Sequence, residues 1–540
     1  MLLSGADTPS RIHRVGGRST IVDRFLDGVQ AHSARCFVRF AGRDHSYGAI
    51  GAQVERLAVT LAAAGIGHGD HVALAIGNRP AFVVAFLGVL RTGATAVPLN
   101  ILYKPDEYRY ALQHAACAAV LTEPAHETQL AEASASLARP VLRLVATDEE
   151  GTFATVSGGS VVRGALRAAG RTGLPGLEDL AGVFYTSGTT ARPKGVMITH
   201  ANLIWSAEVT IQSLRLSPED VPLLAFPLFH VNSLFYGVLS AIVMGGSVGL
   251  LEGLSVSRYW TDAIATGSTW TPGITGPLIR LLLRQHARDE DRRHRLRFAV
   301  GGTFLSLEEL DAFTARFGVQ LVPGWSMTET VGFGTLHPVG RGLPLEATTG
   351  IGFPTLGQEV RLVRDDGRDA LPGEPGELLF RSPGIFAGYL NDPAATAAAF
   401  TEGRWFRTGD LACADEQGYL YFVDRKKDMI KSGGENVAAA EVERVLNEHA
   451  GVAESAVIGV PAGEGLMGER VEAFVVRGAG SDVDAETLRT FAREKLADFK
   501  VPVAIHFVPA LPKTPLGKIQ RAELKRGVAA AQSSPQARQP

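Results

Sequence analysis

Short apolar runs that stop at glycine or proline, separated by stretches of helical periodicity, recur along the first two thirds of this 540-residue chain and constrain its fold more than any other feature. Residues 71–78, HVALAIGN, read as a buried strand, residues 80–91 carry a helical apolar pattern, and Gly93 leads into a second strand, ATAVPLN. Strand, helix and strand in that order make a β-α-β unit, because a parallel partner can start only after the chain has travelled back along the sheet. The runs VLTEP (120–124), GVFYTS (182–187), SVGLLEG (247–253), STWTPG (268–273), LRFAVGG (296–302) and VQLVPG (319–324) repeat the theme. The pattern predicts an α/β fold whose main body, with parallel sheets, covers residues 20–345 behind an N-terminal extension, 1–19.

From about Gly350 the period falls to two. QEVRLV (358–363), GELLFRS (376–382) and GYLYFVD (418–424) alternate between turn-forming Asp-Gly and Pro-Gly pairs, which predicts a small antiparallel sheet or barrel over 346–424. A charged run, DRKKD, follows. Residues 425–428 are expected to be a hinge, and 429–526 a small mobile α+β domain that begins with the amphipathic helix AAAEVERVLNEH. The tail AAAQSSPQARQP lacks aromatic and β-branched residues, so 527–540 are expected to be disordered.

Composition narrows the function classes. Fifty-three basic against 56 acidic side chains give a net charge of -3, which argues against a nucleic-acid protein held by phosphate neutralisation. Cys36, Cys117 and Cys413 lie far apart and make neither a disulfide framework nor a cysteine zinc site, which fits a reducing, cytoplasmic compartment. Met1–Val15 carries charge without an apolar block, so no secretory signal is expected. Ser233–Leu251 is uncharged and of spanning length, but Gly245-Gly246-Ser247 breaks it, and a buried helix followed by a buried strand is expected instead of a membrane span. Oligomeric state is not readable from these features. Lysine is scarce: ten of the 53 basic residues, eight of them after residue 425. A compact ammonium does different work from a planar guanidinium, so Lys194 and Lys518, each in a glycine-flanked loop, ask for a reason. Lys426, in the charged run, reads as a solvated linker charge.

Residues 185–196, YTSGTTARPKGV, follow a predicted strand and precede a predicted helix. Hydroxyls of Thr186, Ser187, Thr189 and Thr190 surround Gly188, and Lys194-Gly195 closes the loop. Small hydroxyl residues and backbone N–H groups wrap a polyphosphate, and Lys194 adds a point charge. The Walker spacing GxxxxGK[ST] is not met, which disfavours a phosphotransferase of that class.

This loop resembles the phosphate-binding signature of the adenylate-forming enzymes: acyl-CoA synthetases, aryl-CoA ligases, firefly luciferase and the adenylation domains of peptide synthetases. Further motifs follow in that family's order from about residue 20 to 526. The resemblance implies ATP, Mg²⁺ and coenzyme A as cofactors, and roles for particular residues. In GWSMTET (324–330), Trp325 stands where the family has Tyr and Ser326 where it has Gly; Trp325 would stack on adenine, Thr328 would meet the α-phosphate, and Glu329 would hold Mg²⁺ with Thr186 nearby. In GGTF (301–304), Gly301, Gly302 and Thr303 would pass close to the adenine and the acyl group. In PLFHVNSL (227–234), His230 would orient the acid's carboxylate in a pocket lined by Val231, Asn232, Phe235 and Met327. Asp410 of RWFRTGD would accept hydrogen bonds from the ribose, and Arg425 would touch ribose and phosphate. Lys427 would be the hinge residue, and Ser432, Gly433, Gly434 and Glu435 would border the CoA tunnel. Lys518 of PKTPLGKIQR would be the catalytic ammonium that neutralises charge between the attacking carboxylate and the α-phosphate.

What the resemblance implies is an ATP-dependent carboxylic acid–CoA ligase that makes an acyl-adenylate and pyrophosphate, then an acyl-CoA thioester and AMP, with the C-terminal domain rotating between the two steps. Within the family, SGTTARPKGV, the run RYW (258–260) and GGENV look most like crotonobetaine/carnitine-CoA ligases, although no carboxylate is plainly set for a quaternary ammonium. The pocket strips are mostly apolar, which fits an aromatic or medium-chain acid. The alternative keeps adenylation and changes the acceptor to a carrier-protein thiol or a nitrogen nucleophile, including nitrite activation. A non-catalytic nucleotide-binding relative is opposed by the presence of Thr186, Lys194, Glu329, Asp410, Arg425 and Lys518 together.

Overall fold

The computed structural model describes residues 20–138, 141–148, 151–155, 175–186, 193–302, 305–340, 350–432, 435–461, 469–513 and 519–533. The proposed extension 1–19 and the last residues of the tail lie outside them.

Among the described residues the largest sheet has eight strands. Its interior is parallel: His71–Ala75 pairs with Thr95–Pro98 and with Ala119–Thr122, and Leu180–Thr186 joins beyond Thr95–Pro98. Its margins turn antiparallel through Phe153–Thr155 at one side, and through Lys194–Thr199 and Gly388–Tyr389 at the other. The inner strands are buried residue after residue, as strands covered on both faces must be. Helix Pro80–Arg91 is buried from Pro80 to Leu90, the pattern of a helix enclosed on all sides. Proline at its first turn costs nothing there, since that N–H has no helical partner. Three further parallel strands, Trp270–Ile274, Phe298–Gly301 and Gln320–Val322, form a second sheet.

Ser233–Leu251 is the expected buried helix and strand, with one difference. The helix opens as a π-helix, Asn232–Leu239, before becoming α-helical over Ser240–Met244, and the strand is Val248–Leu250. Among the described residues no helix is long and apolar enough to cross a membrane. Cys36, Cys117 and Cys413 are unbridged.

The β-rich part is a seven-stranded antiparallel sheet, but it does not begin at residue 346. Gly324–Trp325 and Thr335–Leu336 belong to it, while Gly388–Tyr389 leaves it for the eight-stranded sheet. Non-local pairing of this kind leaves no trace in local periodicity, and the two parts share one apolar core. That core ends at Leu420, and a separate one begins at Ile430. The C-terminal unit packs helices Ala439–Glu448 and Ala485–Arg493 and a helix beginning at Arg521 around the strands Val452–Pro461, Glu469–Arg477 and Ala504–Phe507. That last helix runs to Ser533, past residue 526, where an unstructured tail was expected. Alanine has the highest helix propensity, so the alanine run propagates a helix already anchored by buried Leu524.

Candidate active site

Thr186, Gly301 and the segment after Val322 each stand at or just beyond the end of a strand with a parallel neighbour. Ligands of open α/β sheets bind at the carboxyl ends of the strands, where side chains leave the sheet unpaired. Thr186 closes the strand Leu180–Thr186 and lies in register opposite Lys194, which opens the antiparallel neighbour Lys194–Thr199. Ser187, Gly188, Thr189 and Thr190, and likewise Thr303, lie outside the described residues. Gly301 ends the strand Phe298–Gly301 at φ +123°, and a Cβ there would stand 2.1 Å from the carbonyl oxygen of Ile274. Glycine is therefore required by the neighbouring strand, to which the Gly302 N–H also bonds at 3.0 Å, rather than by a ligand.

The segment after Val322 carries the 324–330 motif. Met327 and Thr330 close a turn, with the Thr330 hydroxyl donating to the Met327 carbonyl at 2.9 Å. Val331 follows at φ +66°, a conformation that β-branched residues rarely adopt, and the Ser206 hydroxyl donates to its carbonyl at 2.9 Å. Ser326 is exposed, while Met327 and Thr328 are half-buried.

Trp325 departs from its expected role. It is 7 % exposed, and Gly334 lies so close to its six-membered ring that a Cβ there would come within 2.6 Å. Little of the ring is left for a base to stack on. Its indole N–H instead donates to Asp410 Oδ2 at 2.7 Å. Asp410 is 4 % exposed, receives the N–H bond through a buried contact, and has Arg425 Nε 3.5 Å from its Oδ1. Arg425 faces Asp410 across the antiparallel pair of strands Phe406–Ala414 and Leu420–Arg425.

A second buried carboxylate lies nearby in the sequence of the motif. Glu329 is 6 % exposed and accepts a hydrogen bond on Oε1 from the Tyr389 hydroxyl at 3.0 Å. The Lys194 ammonium stands 4.7 Å from the centre of the same Tyr389 ring, within cation–π range. Burial first, and the Glu329 charge second, push the Tyr389 hydroxyl above its ordinary range, so it remains a donor. Tyr389 is the residue that sequence reasoning missed. Its only local signal is the pair Gly388-Tyr389 ahead of Asp392-Pro393, inside a segment assigned to another sheet.

The acyl-side residues divide. His230 is half-buried, and the Asn232 N–H donates to its Nδ1 at 3.3 Å, which leaves the proton of a neutral imidazole on Nε2. The Asn232 side chain donates to the Pro272 carbonyl at 3.1 Å and closes over Gly273. Phe235, expected in the pocket, is instead fully buried against Phe184 in an edge contact at 5.0 Å. The π-helix turns Tyr236 rather than Phe235 toward the motif segment, where Tyr236 stacks on Phe333 at 3.8 Å. Val231 is buried.

At the junction, Lys427 lies exposed in the turn after Arg425. Lys426 is not merely solvated: it pairs with Asp365 at 2.9 Å and with buried Glu377 at 3.1 Å. Ser432 and Glu435 face each other in the hairpin Ile430–Ser432 and Glu435–Val437. Gly433 and Gly434, and Lys518, lie outside the described residues. To either side of Lys518, Lys513 is bridged to Ile519.

The donor set can be tested against Mg²⁺. Among the described residues no three His, Cys, Asp or Glu side chains gather as a metal cage. A single buried carboxylate beside hydroxyl residues suits Mg²⁺, which commonly takes one or two carboxylates and completes its shell with substrate phosphates and water. Glu329, with the Tyr389 hydroxyl on it, therefore fits a cation that arrives with a nucleotide.

Comparison with known proteins gives a consistent picture. Residues 26–390 match the family described as AMP-binding enzyme, and residues 441–518 match the AMP-binding enzyme C-terminal domain. A feruloyl-CoA synthase of an Amycolatopsis species is 34% identical over 491 residues, covering 91% of this chain and 95% of that protein. A crotonobetaine/carnitine–CoA ligase of Salmonella paratyphi B is 32% identical over 491 residues, covering 89% and 93%. The structure of ATP-bound MatB from Rhodopseudomonas palustris superposes with a TM-score of 0.81 at 28% identity, covering 94% of this chain and 98% of that one.

Proposed function

This chain belongs to the AMP-binding enzyme family and is an ATP-dependent, AMP-forming acid–CoA ligase, and from that premise we propose which of its residues carry the reaction and what kind of acid it takes. The observation that supports the assignment most is the meeting of Lys194 and Glu329 on one side chain. A phosphate-seeking ammonium and a cation-seeking carboxylate approach the same Tyr389, one at its ring and one at its hydroxyl.

The first half-reaction joins two anions. An oxygen of the acid's carboxylate attacks the α-phosphorus of ATP, a new P–O bond forms, and the bond to the β-phosphate oxygen breaks to release pyrophosphate. Thr186, Ser187, Gly188, Thr189, Thr190 and Lys194 hold the phosphates. Thr328 meets the α-phosphate, and Glu329 with Thr186 would hold Mg²⁺, which supplies charge neutralisation there when bound. Asp410 and Arg425 take the ribose, with Asp410 oriented by Trp325. Gly301, Gly302 and Thr303 border the nucleotide, and Ser326 lies at its exposed edge. His230 orients the acid's carboxylate. Lys518 stabilises the charge that accumulates between carboxylate and phosphate. In the second half-reaction the CoA sulfur bonds to the acyl carbon and AMP leaves.

Residues 425–428 are proposed as the hinge, with Lys427 in it. The separation of the two apolar cores between Leu420 and Ile430 supports that position. Ser432, Gly433, Gly434 and Glu435 are proposed to border the CoA path. The acid is proposed to be aromatic or medium-chain. Tyr236 and Phe333 stack beside the motif segment, half-buried Met327 lies within that segment, and a feruloyl-CoA synthase is among the relatives, which supports the reading. A reaction on ATP and CoA, with three unbridged cysteines in the chain, suits a cytoplasmic setting.

The test is ATP–pyrophosphate exchange over a panel of benzoates, hydroxycinnamates, medium-chain acids and nitrite, repeated with CoA and with products identified by mass. Exchange that depends on an aromatic or medium-chain acid, followed by its CoA thioester, is the expected result. Exchange followed by AMP release without a thioester would move the acceptor to a carrier protein or a nitrogen nucleophile.

A further inference from the structure

We propose that Tyr389 is a positioning residue for adenylation, fixing through one side chain both the carboxylate that takes the nucleotide's cation and the ammonium that meets its phosphates. The inference rests on the roles proposed for Glu329 and Lys194, and assigns to a third residue the task of setting them against each other.

The backbone around Tyr389 is held on every side. The Asn202 amide donates to the carbonyls of Gly384 and Ile385 at 3.0 and 3.2 Å. The Phe386 N–H donates to the Glu329 carbonyl at 3.0 Å, and the Ala387 and Leu390 N–H groups donate to Met197 and Gly195 at 2.9 and 2.8 Å. The Tyr389 N–H itself donates to the Thr396 hydroxyl at 2.9 Å. Tyr389 is thereby paired, in register with Val196, to the strand that Lys194 opens, and the same segment is tied to the main chain of Glu329. A side chain on so rigid a support holds its own position closely.

The two contacts of Tyr389 are chemically distinct. The hydroxyl donates to an ionised carboxylate in a buried place, where a charge-assisted hydrogen bond is stronger and directional, so it selects one plane for the Glu329 carboxylate. A carboxylate has about four lone-pair sites, and a bond to Oε1 does not exhaust them. The ring face attracts the Lys194 ammonium without needing the hydroxyl. Removing the oxygen alone and removing the aromatic ring therefore have different consequences, which a merely structural tyrosine would not produce.

The experiment is calorimetric titration of ATP into the full chain, once in EDTA and once over a series of Mg²⁺ concentrations, for the parent, Tyr389→Phe, Tyr389→Leu and Glu329→Gln. Tyr389→Phe is expected to raise the Mg²⁺ concentration for half-maximal ATP binding about tenfold, the scale of one hydrogen bond to a charged group, and to leave binding in EDTA unchanged. Tyr389→Leu is expected to weaken binding in EDTA as well, because the ring beneath Lys194 is gone. A Tyr389→Phe protein with the parent's Mg²⁺ dependence would overturn the proposal, as would equal binding in EDTA by the Leu and Phe variants. Glu329→Gln separates the two levels. If it leaves the Mg²⁺ dependence unchanged, the role given to Glu329 falls with everything built on it. If it shifts that dependence and Tyr389→Phe does not, only the role of Tyr389 falls.

Discussion

The indole N–H of Trp325 donates to Oδ2 of Asp410 at 2.7 Å, a buried hydrogen bond between residues 85 positions apart. A carboxylate meant to receive two ribose hydroxyls must keep its plane fixed, and here the tryptophan fixes it. Phenylalanine at 325 keeps an aromatic ring and removes the donor. Trp325→Phe is expected to raise the apparent KM for ATP about tenfold while changing kcat much less, since the bond orients a ground-state contact. Asp410→Ala should raise the same KM further. Steady-state kinetics with ATP as the varied substrate decide it: an unchanged KM in Trp325→Phe removes the orienting role, and an unchanged KM in Asp410→Ala removes the ribose contact.

His200 makes the fold sensitive to acid. It opens the helix His200–Leu214, is 0 % exposed, and neither ring nitrogen has a hydrogen-bond partner among the described residues. Burial lowers its pKa to about 4, against the opposing pull of Asp179 and Asp23. The unfolded chain, at the ordinary 6.5, takes up the proton first as pH falls. This contribution to stability is therefore whole above pH 6.5 and is lost as pH drops toward 4, by an amount on the order of 3 kcal/mol. The thermal unfolding midpoint should fall more steeply between pH 7.5 and 5 in the parent than in His200→Gln, and parallel slopes would refute the assignment.

Much of this architecture can be read along the chain because apolar runs ending in glycine or proline are local signals. The strands that end at Thr186, Gly301 and Val322 all overlap such runs, and each stands at or just ahead of a motif. What escapes is pairing over distance. Nothing near residue 389 announces that Gly388–Tyr389 will leave the antiparallel sheet and line up beside Val196. Nor does the 324–330 motif announce that Trp325 will turn inward to a carboxylate instead of outward to a base. Local apolar periodicity does not mark a π-helix in place of an α-helix either, and along Asn232–Leu239 it is Tyr236 that stacks on Phe333.

Lys518 lies outside the described residues; to either side of it Lys513 is bridged to Ile519, and the Gln520 N–H donates to the Pro512 carbonyl at 2.8 Å. A lysine ammonium acts by charge, where two anions must meet. Lys518→Ala is expected to lower acyl-adenylate formation by about a thousandfold, within the range for loss of one preorganised electrostatic contact, and to leave thioester formation from supplied acyl-adenylate nearly intact. Single-turnover measurements of the two half-reactions give the comparison. Equal losses in both would remove the assignment.

Three residues beyond that lysine, Arg521 is bound to Glu443 in a two-pronged pair at 2.7 and 2.8 Å, donates to the Val457 carbonyl at 3.3 Å, and reaches Asp428 at 3.7 Å. One guanidinium thus links the stem of the lysine loop, the first helix of the C-terminal unit and the proposed hinge. Burial raises the Glu443 pKa while Arg521 opposes the rise, so loss of the arginine leaves a buried carboxylate without its counter-charge. Arg521→Ala is expected to destabilise the C-terminal unit by about 3 kcal/mol or more, because breaking a buried pair from one side costs more than deleting the pair. A mere loss of side-chain contacts would add in the double variant, whereas loss of a counter-charge is relieved when the charge itself is removed. Arg521→Ala with Glu443→Gln should therefore recover part of the stability lost in Arg521→Ala alone, and denaturant unfolding of the three variants forms the cycle that reads the coupling. If the two substitutions simply add, the guanidinium acts at Glu443 by packing and its electrostatic coupling to that carboxylate is absent.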